Sequence, residues 1–347
     1  MNEKTLAERV GAASVPVVPT HPDVAEWRPS TTDDIDAIHA LFVAADAVDH
    51  PTWTTPRDDV AQQFELSHID PARDTLVAMD AAGAALAVGS VVRHPSLDEH
   101  VHVNVHGTVR PDHRGRGIGA ALFAWQHARA EQQIAEVAAT DAAASLPAEV
   151  HVYAGENDLA LVRIAERHAY RTERWFSTMH RDLSLPIAEL ETPDGIELVP
   201  YSAERAEDAR LARNDAFRDH WGSLPSPPER WQQFVGGRLL RPDLSTLAVD
   251  VNDGDRIVAF CLASVDEDDW AVLGPNSYID LIGVVRSHRR RGLAPLTISR
   301  SLRAMRDATL GTAVLDVDTE SPTGANALYG GLGFSAYERD RVLVRRY

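Results

Sequence analysis

The chain has 347 residues and a mass of 38.0 kDa, enough for two domains at the usual ~100–200 residues each. It is 44% hydrophobic and 25% charged, so it can bury two apolar cores without staples. Its 52 acidic residues against 34 basic ones leave a net charge of −18, which weighs against nucleic acid, since phosphates need a basic footprint. The single cysteine, Cys261, excludes a disulfide framework and a thiolate zinc site. No apolar run of about 18 residues marks a membrane span, and the N-terminus lacks the basic-then-apolar order of a secretory signal. A cytoplasmic protein is expected, with an acidic surface that either keeps it soluble or steers a cationic substrate.

Residues 1–22 carry scattered prolines and small residues and read as a flexible tail. From Trp27 onward an α/β pattern starts that occurs twice. In the first half a capping signal from Ser30 to Asp34 opens a helix. Two strands follow around a Gly83 turn, and a third, "VHVNVHGTV", leads into a loop and a long helix. After a small-residue stretch at 138–148 come a strand at 149–153, a helix at 157–168 and a strand near 174–182. The second half has a helix in "SAERAEDARLARNDAF", a hairpin through Asn252–Gly254, and the strand "YIDLIGVV" feeding another loop and helix. The strand "AVLDVDTE", a helix around 323–331 and "RVLVRRY" complete it. Pro186, Pro193 and Gly195 punctuate the junction, so the expected domains are 23–188 and 189–347.

Each half places an Arg/Gly loop between an apolar strand and a helix. The first loop is Arg114, Gly115, Arg116, Gly117, Ile118 and Gly119; the second is Arg289, Arg290, Arg291, Gly292, Leu293 and Ala294. Small residues there let the backbone approach a ligand, and the unpaired amides of a first helical turn attract anions. The basic side chains cluster at these two places in an otherwise acidic chain. The spacing matches neither a triphosphate-binding P-loop nor a dinucleotide fingerprint.

The junctions "VRPDHRGRGIGAAL" and "VRSHRRRGLAPL", with "DVDTESPTGANALYGGLGF", resemble the coenzyme A motifs of the GNAT N-acetyltransferase superfamily. Two copies spanning about 26–347 look like the tandem, mycothiol-synthase-like acetyltransferases of actinobacteria. The resemblance implies two tandem α/β domains, each a twisted mixed sheet flanked by helices, with a splayed central strand pair. It also implies acetyl-coenzyme A as cosubstrate, no metal, and direct transfer from thioester to an amine, more readily a small molecule than a protein. Ile282 and Val284 would then lie where backbone amides meet the thioester, and Tyr329 where a phenol protonates the thiolate. Asp280, costly mid-strand among apolar neighbours, is the candidate base; Asp316, Asp318 and Glu320 are candidate acceptor contacts. Asp219, His220 and Trp221 are weighed as an acceptor wall against a structural role.

Aligning the halves on their loops brings Val105 opposite Asp280, and aligning their closing segments brings Ala165 opposite Tyr329. The first half therefore lacks both chemical groups and is expected to be degenerate. His100, His102, Asn104 and His106 alternate on one strand and are read as a polar face rather than a metal site. A coenzyme-binding module without catalysis is the alternative, disfavoured by Tyr329 and the strand acids.

Overall fold

The computed structural model describes residues 4–11, 13–50, 53–321 and 324–347. They form two units: the first runs to Arg174 and includes Asp340–Tyr347, and the second is Trp175–Arg339.

In chain order the first unit has α1 (Leu6–Val10), β1 (Glu26–Arg28), α2 (Ile35–Asp49), α3 (Arg57–Gln62), α4 (Pro71–Asp74), β2 (Thr75–Met79) and β3 (Ala85–Arg93). There follow β4 (Val101–Val109), α5 (Ile118–Ala138), β5 (Ala148–Gly155), α6 (Leu159–Arg167) and the start of β6 (Arg171–Asp182). The second contains β7 (Ile196–Pro200), α7 (Ala206–Ala216), α8 (Pro228–Gly236), β8 (Thr246–Asp250), β9 (Arg256–Ser264) and α9 (Trp270–Leu273). Then come β10 (Asn276–Val284), α10 (Leu293–Asp307), β11 (Thr312–Asp318), α11 (Ala325–Gly331) and the start of β12 (Ser335–Arg346).

The first sheet runs β1-β2-β3-β4-β5-β12, antiparallel except for the parallel pair β4–β5. Alternation sorts its two faces: Leu76 and Ala78 join the core under α5, while Val77 and Met79 join the one under α2 and α3. The second sheet repeats the order as β7-β8-β9-β10-β11-β6, again with one parallel pair, β10–β11. The expected mixed sheets flanked by helices are present in both units.

Three features differ from the sequence reading. The capping residue is Thr31, at the head of a 3-10 turn (Thr32–Asp34) that runs into α2; its amide and hydroxyl donate to Asp34, while the Ser30 hydroxyl donates to Thr75 at 2.6 Å. The segment 1–22 contains α1, and Leu6 is fully buried against α5, so one apolar residue in a polar stretch is enough to seat it. The division at 188/189 also differs from the units seen. Phe176–Asp182 of β6 pairs with β11 in the second unit, and Asp340–Arg346 of β12 pairs with β5 in the first. Met179 and Leu183 sit in the second unit's core, so the punctuated segment around Pro186 lies inside that unit. Thr323, at the start of the helix expected around 323–331, lies outside the described residues.

Candidate active site

In the second unit β10 is hydrogen-bonded to β11 for three residues only, the last pair being Tyr278 with Val314. Beyond it β10 stays with β9 while β11 continues with β6. The two parallel strands therefore part, and among the described residues no strand pairs with the β10 edge carrying Ile282 and Val284 on that side. A bulge between Ile279 and Leu281 sits at the parting. It leaves Asp280 out of register, half-buried, and hydrogen-bonded by the Ser264 hydroxyl at 3.1 Å. Gly283 is required further along: a β-carbon there would lie 2.3 Å from the Phe260 ring and 3.0 Å from Ala216.

β10 ends on the Arg289–Ala294 loop. Gly292 caps α10 in the left-handed region (φ +75°), where a β-carbon would be strained yet meet nothing within 4 Å. Among the described residues the amides of Arg290 to Ala294 have no hydrogen-bond partner, and the helix supplies no side-chain cap. Arg286 and Arg289 share Asp219, whose carboxyl they hold down at about 2. The Arg286 amide donates to Asp215 at 2.9 Å. Arg290 and Arg291 make no ion pair among the described residues, the Asp250 carboxylate acting on Arg291 only from a distance. Asp219 thus belongs to this loop and not to the acceptor wall it was weighed for. Trp221 lies with its ring 6.5 Å from that of Phe176 on β6.

Tyr329, on α11, is buried (8% exposed) against Phe334, and its hydroxyl has no partner among the described residues. Burial raises its pKa above the ordinary phenol value, so it is protonated at neutral pH. The same core holds Cys261, whose thiol burial pushes up to about 12, with the Asp280 carboxylate adding to the effect. A thiol so protonated is a packing group and no nucleophile.

The three acids named after Asp280 part company. Asp316 is exposed and takes two short hydrogen bonds, from Tyr278 Oη and Thr178 Oγ1, each 2.7 Å, which tie β10 and β6 to the strand between them. Asp318 is buried and accepts the Glu320 amide at 2.9 Å, a turn-forming role; Glu320 is exposed beside it. Tyr278, Thr178 and Ser264 were missed in the sequence. A hydroxyl on a strand gives no signal until a partner strand places a carboxylate beside it.

In the first unit Val105, opposite Asp280, still pairs with Val152, and Ala165 is fully buried where Tyr329 stands in the second. The histidine strand forms a polar ladder: His100 Nε2 lies 3.3 Å from His102 Nδ1, and His102 Nε2 3.0 Å from Asn104 Oδ1. His151 lies beside His102 with its ring tilted, 4.1 Å between ring centres, and hydrogen-bonds Glu149 at 2.9 Å. No group of three or more metal-ligating side chains is arranged to hold an ion among the described residues.

A family model for the GNAT acetyltransferases matches residues 206–334. A mycothiol acetyltransferase of Nocardia farcinica is 30% identical over 312 residues, covering 86% of this chain and 90% of that protein. The chain belongs to the GNAT acetyltransferase family. A mycothiol acetyltransferase of a Nocardioides species aligns over 90% of this chain and 98% of its own, at 22% identity. Among solved structures, a GCN5-related N-acetyltransferase from Sphaerobacter thermophilus superposes with a TM-score of 0.68 at 24% identity, covering 94% of this chain and 97% of its own. A tandem GNAT protein of clavulanic acid biosynthesis gives 0.64 at 16%, over 92% and 98%. At those identities the likeness speaks for the fold. This GNAT protein is therefore an acyltransferase enzyme, and the reading as a bare binding module is set aside.

Proposed function

We propose that the second unit is the catalytic one and transfers an acetyl group from acetyl-coenzyme A directly to the amine of a small molecule. The parting of β10 from β11 above an open, cationic helix start carries this reading, because an extended thioester arm needs both. The residues present fit the coenzyme's diphosphate: among the described residues five amides have no partner, Arg290 and Arg291 make no ion pair, and there is open space at Gly292. When bound, acetyl-coenzyme A supplies an activated acyl thioester. The free β10 edge around Ile282 and Val284 offers backbone amides to its carbonyl. Asp280, fixed by Ser264, accepts the proton that the amine gives up as its nitrogen bonds the acyl carbon. Tyr329, held protonated, returns a proton to the thiolate. Asp316 offers an ammonium or hydroxyl a carboxylate already oriented by Tyr278 and Thr178. The relatives named mycothiol acetyltransferases favour a small-molecule acceptor over a protein, and a cytoplasmic site follows from such chemistry.

The test is release of free thiol from acetyl-coenzyme A in the presence of a panel of small amines. Turnover with at least one amine is expected, reduced by about 10²–10⁴-fold in Asp280→Asn. Unchanged turnover in that variant removes Asp280 from the chemistry.

A further inference from the structure

The described residues ahead of β1, 4–11 and 13–25, strap the first unit along α5. Leu6 is buried in the core, Arg9 donates to the Leu146 carbonyl, and the Ser14 amide donates to Glu131 at 3.3 Å. The strap then reaches the Arg114–Gly119 loop. There His21 Nε2 donates to the Arg116 carbonyl at 2.8 Å, and His21 Nδ1 accepts the Asp23 amide at 3.1 Å. The Asp23 carboxylate pairs with the Arg116 guanidinium at 3.3 Å. A β-carbon on Gly117, which caps α5 as Gly292 caps α10, would find the His21 ring 3.8 Å away.

The other cations of this loop are also matched. Arg114 is clamped by both oxygens of Asp49, at 2.5 and 2.7 Å, and Arg110 and His113 share Asp112. Every arginine of the first loop thus has a carboxylate in ion-pair contact, whereas among the described residues Arg290 and Arg291 of the second loop make no ion pair, Arg291 only feeling the more distant Asp250 carboxylate. We infer that the strap closes the first loop to phosphate ligands, with the Asp23 carboxylate occupying the Arg116 guanidinium that a phosphate would otherwise engage, so that coenzyme A enters at the second loop alone. This rests on the reading of the second loop as the coenzyme site. The Asp23–Arg116 pair is half-exposed and weak by itself. It holds because Leu6 on one side and β1 on the other tether the strap, which gives the carboxylate an effective concentration of order millimolar that a free ligand must exceed.

Calorimetric titration of the full chain with coenzyme A should read one site. His21→Ala/Asp23→Ala, two surface changes, should read two, the added one weakening with salt. Two sites in the unaltered chain, or a single site in the double variant, would overturn the closure. Inorganic pyrophosphate is the second probe, since it needs the loop and no acyl chemistry. Pyrophosphate binding gained only in the double variant supports the closure even if coenzyme A gives no heat with either protein, a result that would sink the coenzyme reading alone. Equal pyrophosphate binding by both proteins overturns the closure.

Discussion

Tyr329 is a buried phenol whose hydroxyl bonds to nothing described. Removing that oxygen therefore costs the fold little, and a rate effect can be separated from a stability effect. Tyr329→Phe should lower kcat by about 10²–10⁴-fold with coenzyme A affinity and Tm nearly unchanged, as read by steady-state kinetics beside calorimetry. A parallel fall in affinity would mean that the ring, not the proton, matters. Gly283 makes the opposite case. Its missing β-carbon is the room that the Phe260 ring occupies. Gly283→Ala should destabilise the second unit by about 1–3 kcal/mol in urea melts, through overpacking and not through lost chemistry. Tyr329 and Asp280 were visible in the sequence as a helical phenol in a family motif and an acid in an apolar strand. Gly283 gave no such sign, because its neighbour across the strand is fixed only by register.

At the level of elements, both Arg/Gly loops were legible because they join two local signals, an apolar strand and a glycine-started helix. The bulge at Asp280 was not, since a bulge is a mismatch between two strands and no single strand spells it out. The strand partners were illegible for a related reason. β6 and β12 read alike from sequence, and which sheet each joins is decided by long-range pairing. That pairing makes a prediction about fragments. Residues 189–347, the half that linear punctuation suggests, lack β6, leaving β11 with an open edge and the core without Met179 and Leu183. This fragment should aggregate, while 175–339 should give a cooperative melt and a monodisperse peak in size-exclusion chromatography. A soluble, cooperatively folded 189–347 would show β6 to be dispensable.

For the molecule as a whole, the two units should differ in their response to acid. Burial lowers the pKa of His102 to about 3 and of His127 to about 4, and lowers those of His100 and His168, all in the first unit. Around His102 stand His94, His100, Asn104 and His151, with Glu149 beyond. The folded pKa values lie below the unfolded value of about 6.5, so on acidification the unfolded chain takes up protons first. The stabilisation is complete above about pH 6.5 and is lost as pH falls toward 4, by at most about 1.4 kcal/mol per pH unit for His102, the most buried of the four. Hydrogen exchange read by mass spectrometry should show the first unit opening between pH 6.5 and 5 before the second, with a shallower dependence in His102→Asn. Equal loss of protection in both units would refute the assignment. The exchanged strands also bear on the order in which the protein can be made. Residues 340–347 leave the ribosome after every residue of the second unit, and they carry the strand that completes the first: Val342, Leu343 and Val344 in its sheet, Arg345 and Tyr347 on Glu131. The half translated first is therefore the half finished last. Until then it waits with β5 as a bare edge on the nascent chain.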